Sequence, residues 1–316
     1  MSVDEQYLLD ADRSIYLRDA NTEPVPAAPE VDADAEIVYL SSAYVSAELV
    51  VDVLFENAGV PKLGGASGDR GWSSVSTFQN CPYRWKRVYV DGCREAAVPG
   101  APGPKSLEVG SLVHVLLAIY YSKIIDSTYP LEPESFREAL LKGHVTPEHV
   151  TEAWRLYEAY TLYYAHDDFV PLAVEYHLVD PRTSRSCRYD VIMRKEKPSS
   201  GLLPGTYLFD HKTMSRMDSY ALSQWRNNGE LIGQWELYEK LKLERRFGEL
   251  VGMCANIIVK TKDPKFERAW IRPSDALLRD HRKSLAVWSA QMDLAKATNQ
   301  FPRARANCVG KYGLCD

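Results

Sequence analysis

The sequence lacks both a long apolar run and a leader typical of export. Its longest apolar stretch, 112–121, is interrupted by His114 and is shorter than the ~20 residues that cross a bilayer. The chain opens with acidic residues, where a signal peptide carries basic residues followed by an apolar segment. We therefore expect a cytoplasmic protein that has no membrane partner.

Cysteine is scarce, and positive charge is not in excess. Six cysteines among 316 residues, without an export leader, argue against a disulfide framework and leave core thiols or metal ligands. The net charge of −5 does not by itself favour a polyanionic partner. Residues 1–36 carry −8, however, so the remaining 280 residues total +3. We interpret residues 1–65 as an acidic, flexible N-terminal segment, which could also compete with nucleic acid for a basic groove.

The rest of the chain, 66–316, alternates between helical and strand-like patterns. A helical part at 107–166 precedes a strand-rich core at 170–272 and a C-terminal helix with a cysteine segment at 273–316. Helices are predicted at 73–90, 107–125, 132–166, 218–245 and 274–297, and strands at 172–180, 187–194, 205–213, 253–261 and 267–272. This order predicts an α/β fold with a mixed sheet.

Two neighbouring strands carry acidic residues that could meet. Asp210 and Lys212 lie two residues apart on one strand and so emerge on the same face. If that strand pairs as a hairpin with the preceding one, Asp190 lies beside Asp210, on the face of Ile192 and opposite Cys187, Tyr189, Val191 and Met193. Two carboxylates this close favour a divalent cation, because their repulsion would otherwise raise one pKa. The alternative for an isolated Asp-x-Lys is a solvent-facing ion pair.

Two helices add further polar candidates. His114 lies on the apolar helix 107–125, with Gly110 and Ala118 leaving space beside its ring. Alone, it is equally explained as a hydrogen-bonded core histidine. Gln234 and Tyr238 are four residues apart and share a helical face, which alone indicates nothing more than helix surface.

The order of these residues resembles a known nuclease family. The set consists of a glycine four residues before a histidine, a strand aspartate, an Asp-x-Lys strand and a Gln-x3-Tyr helix: Gly110, His114, Asp190, Asp210, Lys212, Gln234 and Tyr238. It resembles the PD-(D/E)XK nuclease superfamily, specifically the RecB-like exonuclease branch that includes RecB, AddB, CRISPR-adaptation and phage nucleases. The likeness covers about residues 73–315, and 73–92 looks like that branch's opening helix.

The resemblance implies a restriction-endonuclease-like core, a helical insertion and a role for each motif residue. The implied ligands of Mg²⁺ or Mn²⁺ are His114, Asp190, Asp210 and the backbone carbonyl of His211. Lys212 is implied to position or activate the attacking water and to offset charge in the transition state. Gln234 and Tyr238 are implied to orient the site and contact the nucleic acid. Glu175 falls where relatives often place an acid, so it is a weaker candidate for a second metal or for the surroundings of the first.

The cysteines raise the question of an iron–sulfur cluster. In the iron–sulfur members of this branch one cysteine precedes the nuclease motifs and three follow near the C-terminus. Cys81 matches the early one, and Cys308 and Cys315 match the first two late ones. A [4Fe–4S] centre takes four thiolates. A sequence cut within the motif, a three-thiolate site, a lost cluster, a ligand from Cys93 and a zinc site all remain open.

A basic and aromatic run on the opening helix is the candidate nucleic-acid surface. Lysine and arginine neutralise phosphates, and tryptophan or tyrosine stacks on unpaired bases: Arg84, Trp85, Lys86, Arg87 and Tyr89. The alternative is an amphipathic helix whose aromatic side chains pack inward.

The function expected from these motifs is that of a metal-dependent DNA nuclease. The expected activity is an exonuclease on single-stranded DNA or duplex ends, in phage or bacterial recombination, repair or a CRISPR-like process. Recombination or single-strand-binding proteins are the expected protein partners. One alternative is a catalytically weak nucleic-acid-binding protein that keeps the fold, and another is an endonuclease specific for a sequence or a structure.

Overall fold

The computed structural model describes residues 70–92, 105–142, 145–217, 224–304, 309–310 and 313–314. The predicted acidic segment 1–65, Cys93, Cys308 and Cys315 lie outside this part of the chain.

The helices fall close to the segments that the periodicity predicts. They are α1 (Trp72–Asn80), α2 (Pro82–Trp85), α3 (Lys105–Ile125), α4 (Pro133–Lys142), α5 (Pro147–Tyr163), α6 (Gly229–Lys240), α7 (Glu244–Phe247) and α8 (Asp275–Thr298), with a π-helical turn at Lys86–Val90. The predicted helix 218–245 lies partly outside the described residues; within them 224–226 are helical and a new helix, α6, starts after Asn228, whose side chain caps it by accepting from the backbone N–H groups of Glu230 and Leu231. The helix predicted over 73–90 is broken at Cys81, which is extended before Pro82.

Five strands form one mixed sheet in chain order. They are β1 (Phe169–Asp180), β2 (Arg185–Lys195), β3 (Gly205–Met214), β4 (Leu250–Val259) and β5 (Lys265–Ile271), with a separate short pair β6 (Val309–Gly310) and β7 (Gly313–Leu314). β3 and β4 are parallel, and every other neighbouring pair is antiparallel. The predicted hairpin of β2 and β3 is confirmed, and so is the α/β fold with a mixed sheet.

Helices cover both faces of the sheet. On one face, α3 and α5 pack through residues such as Leu116 and Leu156 against Phe209. On the other face, α6 packs through Leu231 and Trp235 against the β3 and β4 side chains. Burying leucine-sized side chains in this way contributes ~1.5–3 kcal/mol each, so the two layers fix the strands between them.

α3 is the one helix of the described residues whose length and apolar composition would suit a membrane span, over 108–125. In the fold it packs in the core against α5 and the sheet. Its apolar character is therefore explained by burial between two layers of protein.

The alternation of side chains reverses within β1 and β2. Val174 and Val191 pack on the α3 side, whereas Tyr176 and Tyr189, two residues away on each strand, pack on the α6 side. On β1, Glu175 separates Val174 from Tyr176 and has a φ of 48°, in the left-handed region that strands do not use. The predicted placement of Tyr189 and Cys187 on the face of Val191 is therefore wrong: both pack on the α6 side, because β2 follows β1 across this irregularity, with Val174 paired to Val191 and Tyr176 to Tyr189.

Candidate active site

The two predicted aspartates lie where β2 and β3 separate. Backbone pairing runs from Lys195–Gly205 to Val191–Phe209 and stops before the next residue of each strand, Asp190 and Asp210. The backbone N–H of His211 donates to Oδ2 of Asp190 at 2.7 Å. The carboxylate of Asp190 thus accepts from a backbone N–H of β3 at the point where the hydrogen bonds between the two strands end, next to Asp210.

Lys212 lies between the carboxylates of Asp210 on β3 and Glu230 on α6. Its Nζ lies 2.9 Å from Oδ2 of Asp210 and 3.3 Å from Oε2 of Glu230. Burial disfavours its charge, but the carboxylates of Asp210, Glu230 and Asp190 outweigh burial and raise its pKa above the ordinary value. Lys212 therefore stays a cation.

α3 brings the histidine to the same place. Nδ1 of His114 lies 3.5 Å from Oδ2 of Asp190, and the backbone of His211 also hydrogen-bonds to the ring. Burial lowers the pKa of His114 despite the nearby Asp190, so the imidazole is neutral and has a lone pair to offer. The close approach depends on Gly110, where a Cβ would meet Oγ1 of Thr213 at 2.8 Å.

The two aspartates have opposite electrostatic environments. Burial, and then the charges of Asp190 and Glu230, raise the pKa of Asp210 to about 7 even though Lys212 opposes them. Burial also acts on Asp190, but its polar neighbours, among them the ammonium of Lys212 and the backbone N–H of His211, outweigh it and lower its pKa. Asp210 is 3% exposed. The site therefore holds a buried carboxylate whose ionised form needs more positive charge than the described residues supply.

These residues suit a hard divalent cation, although they do not enclose one. Among the described residues, no group of three His, Cys, Asp or Glu side chains converges closely enough to form a metal centre as it stands. Within the same part of the chain, Oδ2 of Asp210 has no hydrogen-bond partner besides its 2.9 Å contact with Nζ of Lys212. Carboxylate oxygens and a neutral imidazole are suitable donors for Mg²⁺ or Mn²⁺. The donor set of His114, Asp190 and Asp210 therefore fits the cation.

Glu175 lies beside this group in an ion pair. Its Oε2 is 2.7 Å from Nε of Arg188. Burial raises the pKa of Glu175 to about 7, with Arg188 lowering it and Asp190 raising it further. Glu175, the weaker candidate from the sequence, thus lies near Asp190, and Arg188 offsets its charge.

The polar groups of Gln234 and Tyr238, the Gln-x3-Tyr pair, bind to different parts of the protein. Gln234 is buried beside β2, with Nε2 3.5 Å from the carbonyl oxygen of Arg188. Tyr238 is 1% exposed, and its hydroxyl donates to the carbonyl of Gly248 at 2.7 Å. Both residues contact the strand that carries Asp190, Gln234 through that Arg188 carbonyl and Tyr238 through the ring of Tyr189 at 6.5 Å, but the hydroxyl of Tyr238 reaches away to Gly248.

The opening helix places its aromatic side chains inward. Trp85 is fully buried, donates from Nε1 to Oγ of Ser74 at 2.7 Å, and lies 6.4 Å from the ring of Tyr89. Lys86 and Arg87 pair with Asp91, and Arg84 is exposed. The alternative of an inward-packed amphipathic helix therefore describes Trp85, while the basic residues remain at the surface.

Cys81 is the one cysteine of the predicted cluster within the described chain. It is buried and has a free thiol; Cys254 is likewise buried and Cys187 partly buried, both with free thiols. Burial raises the pKa of Cys254 and brings that of Cys187 to about 12, so these two are inert core thiols.

Three residues of the site were not singled out from the sequence. Glu230 contacts Lys212, Arg188 pairs with Glu175, and Asn256 donates from Nδ2 to Nδ1 of His211 at 2.8 Å. Glu230 lies four residues before Gln234, so helical spacing could have indicated it. Arg188 lies two residues before Asp190. Nothing in the sequence around Asn256 signals its role.

The same Asn256 amide supports the ring behind the site. Its Nδ2 also donates to the hydroxyl of Tyr160 at 2.6 Å, and the ring of Tyr121 stacks on His211 at 5.8 Å. Burial lowers the pKa of His211 to about 3, so this imidazole stays neutral. These contacts fix the position of His211, whose backbone N–H donates to Asp190.

Comparison with known proteins gives a family match. A family model for the PD-(D/E)XK nuclease superfamily matches residues 72–290. A solved structure of a candidate exonuclease from Eubacterium rectale is 12% identical, with a TM-score of 0.48, over 84% of this chain and 90% of that one. None of the curated proteins matches the chain.

Proposed function

The chain belongs to the PD-(D/E)XK nuclease superfamily, and from that premise we propose that it hydrolyses DNA phosphodiester bonds with Mg²⁺ or Mn²⁺ held by His114, Asp190 and Asp210. The observation that carries the proposal is the pair of carboxylates at the end of the β2–β3 ladder, Asp210 buried and Asp190 partly buried, with Lys212 in contact with Asp210. A restriction-endonuclease-like core accounts for the five-stranded mixed sheet that brings them together.

The side chains divide the chemistry between them. A bound divalent cation supplies a more acidic water and positive charge against the developing phosphorane. Lys212 adds a fixed ammonium beside Asp210, which orients a water or a phosphate oxygen and stabilises negative charge. His114 stays neutral and is therefore available as a ligand at neutral pH. The backbone carbonyl of His211 remains a proposed fourth ligand, and Glu175 a proposed support of the site.

We propose an exonuclease on single-stranded DNA or duplex ends, acting in the cytoplasm in phage or bacterial recombination, repair or a CRISPR-like process. This finer assignment, including the RecB-like branch and the partner proteins, rests on the resemblance of the motifs. The proposed role of Gln234 in orienting the site is supported by its position beside β2. The roles of Tyr238 and of the basic residues Arg84, Lys86 and Arg87 in DNA contact are also carried over from the resemblance.

The test is cleavage of labelled linear single strands, duplexes and circular single strands in Mg²⁺, Mn²⁺ or EDTA. Asp210→Asn should abolish metal-dependent cleavage, whereas Asp280→Asn, an exposed aspartate on α8, should cleave as the unaltered protein does. Cleavage of linear but not circular strands would support the exonuclease. Cuts in the circle would favour an endonuclease, and DNA retention without cleavage in any metal would favour a binding protein and contradict the proposal.

An iron–sulfur cluster on Cys81, Cys308 and Cys315 stays a prediction of the sequence. Anaerobic purification with an absorption spectrum and an iron count tests it. A broad visible absorption with about four iron atoms per chain is expected for a [4Fe–4S] cluster. A colourless, iron-free protein that cleaves DNA would contradict it.

A further inference from the structure

A pocket lies beside the carboxylates, between α1, β2, α6 and α8. Its wall includes Arg70, Trp72, Arg185, Arg188, Gln234 and His281. None of these except Gln234 belongs to the motifs that the sequence indicated. Three of its fifteen lining residues are arginines, so the wall offers several guanidinium groups to a ligand.

Each arginine is held in place by a carboxylate behind it. Arg70 pairs with Asp293, Arg185 with Glu236 at 3.2 Å, and Arg188 with Glu175. A guanidinium has five N–H donors in a planar fork, and each of these ion pairs uses one or two of them. The carboxylates thus fix the arginines and still leave donors that a bound anion could use.

Two buried polar atoms in the same wall have no hydrogen bond among the described residues. They are Oε1 of Gln234 and Nε2 of His281, on side chains of residues that are 3% and 8% exposed. Nδ1 of His281 lies 2.8 Å from Oε2 of Glu236, so Nε2 is the atom left for another partner. Because the Glu236 carboxylate accepts from Nδ1–H, Nε2 of His281 and Oε1 of Gln234 are both left as acceptors. Buried polar atoms without partners are costly, and a bridging water or a donor group of the attached nucleoside would satisfy these two, while the arginines are the donors to a phosphate.

The pocket continues directly from the proposed catalytic site. Arg188 lies two residues from Asp190 on β2, about 6.6 Å along the strand at ~3.3 Å per residue. Glu230, which contacts Lys212, forms the border between the two. Its carboxylate repels an anion at that border, so an anion would bind farther in, towards Arg70 and Arg185.

We propose that this pocket binds a phosphate group of the substrate strand, next to but distinct from the scissile phosphate. The inference rests on the proposed nuclease function and adds to it the way in which the strand is held. Arginine forks match phosphate geometry, and the indole of Trp72 provides an apolar surface for the attached sugar or base. The phosphate belongs either to a strand terminus or to a continuing backbone, and the two sources give different results in the experiment.

The experiment compares Arg70→Gln and Arg185→Gln, singly and together, with Arg279→Gln as the control. Arg279 is an exposed arginine of α8 outside the pocket. Glu236 keeps His281 and Arg282 as partners when Arg185 is neutralised, so the variant does not leave that buried carboxylate alone. The probes are labelled single strands with a 5′ phosphate, with a 3′ phosphate, with hydroxyl ends, and closed into a circle.

Binding is measured by fluorescence anisotropy in EDTA, and cleavage by KM and kcat in Mn²⁺. The double variant should bind about 10- to 100-fold more weakly and raise KM accordingly, with kcat nearly unchanged. Its salt dependence should be shallower by about 0.7 in log–log slope for each lost contact. Loss confined to one phosphorylated end identifies a terminal phosphate, and equal loss on all probes, the circle included, identifies a backbone phosphate.

Binding equal to that of Arg279→Gln on every probe would overturn the pocket assignment, provided that thermal unfolding shows folded variants. Because binding is measured without metal, it is independent of catalysis. A protein that cleaves nothing but loses DNA binding in the arginine variants would contradict the proposed function and keep the pocket. A protein whose arginine variants all cleave DNA normally would support the proposed nuclease function and contradict the pocket.

Discussion

Replacing Asp210 with asparagine should stabilise the metal-free chain at pH 8 while it abolishes cleavage. Burial and the charges of Asp190 and Glu230 raise the pKa of this carboxyl to about 7, from an ordinary 3.8. At pH 8 the ionised form is therefore disfavoured in the folded chain relative to the unfolded one. The difference of about three pKa units corresponds to an upper bound of about 4 kcal/mol, so a gain of ~2–4 kcal/mol is expected.

The pH dependence has a definite sign. Between pH 3.8 and about 7 the folded carboxyl of Asp210 keeps a proton that the unfolded chain has lost. Folding then takes up protons, and this residue's contribution to stability falls as pH rises across that window. The advantage of Asp210→Asn should accordingly grow from about pH 4 to pH 7 and level off above it.

The assay is denaturant unfolding in EDTA at several pH values, with Asp190→Asn as the matched comparison. The pKa of Asp190 is lowered, so its ionised form is favoured in the folded state, and its contribution is lost as pH falls through that lowered pKa. Asp190→Asn should therefore destabilise the chain at pH 8. The reasoning is refuted if Asp210→Asn destabilises the protein by as much as Asp190→Asn.

Three further changes test the site and its surroundings. Lys212→Ala should lower kcat by about 10²- to 10⁴-fold at pH 8 with nearly unchanged Mn²⁺ affinity by calorimetry, and an unaltered kcat would remove Lys212 from the mechanism. Gly110→Ala should weaken Mn²⁺ binding, because its Cβ would displace α3 from Thr213. Adding Thr213→Ala should restore Mn²⁺ binding. If neither substitution has an effect, the contact between α3 and Thr213 is not tight. Trp85→Ala should lower the free energy of unfolding by about 3–5 kcal/mol with KM unchanged, whereas a raised KM in the folded variant would assign Trp85 to substrate contact.

Local patterns were sufficient for the strands and for the pairing of the two carboxylates. The alternation of β3 places Asp210 and Lys212 on one face, and the turn between β2 and β3 makes a hairpin, so Asp190 follows from register alone. These features depend on the period of two residues and on chain connectivity, which the sequence carries directly.

Features that depend on long-range packing could not be predicted. Trp85 is buried because Ser74 accepts its indole N–H and α8 covers it, neither of which its basic neighbours suggest. Tyr238 shares a helical face with Gln234, yet it reaches Gly248, since one turn of α6 carries it along the sheet. The left-handed backbone of Glu175 also gives no signal, because glutamate is not a residue type that favours positive φ.

The most direct test of the shared cation site is anomalous diffraction from a crystal soaked in Mn²⁺. We expect one manganese peak in contact with carboxylate oxygens of Asp190 and Asp210 and with a ring nitrogen of His114, at about 2.0–2.3 Å. Lys212 should point to the same peak without touching it. A crystal that binds Mn²⁺ only elsewhere, or that keeps these three side chains too far apart to touch one ion, would contradict the proposed site.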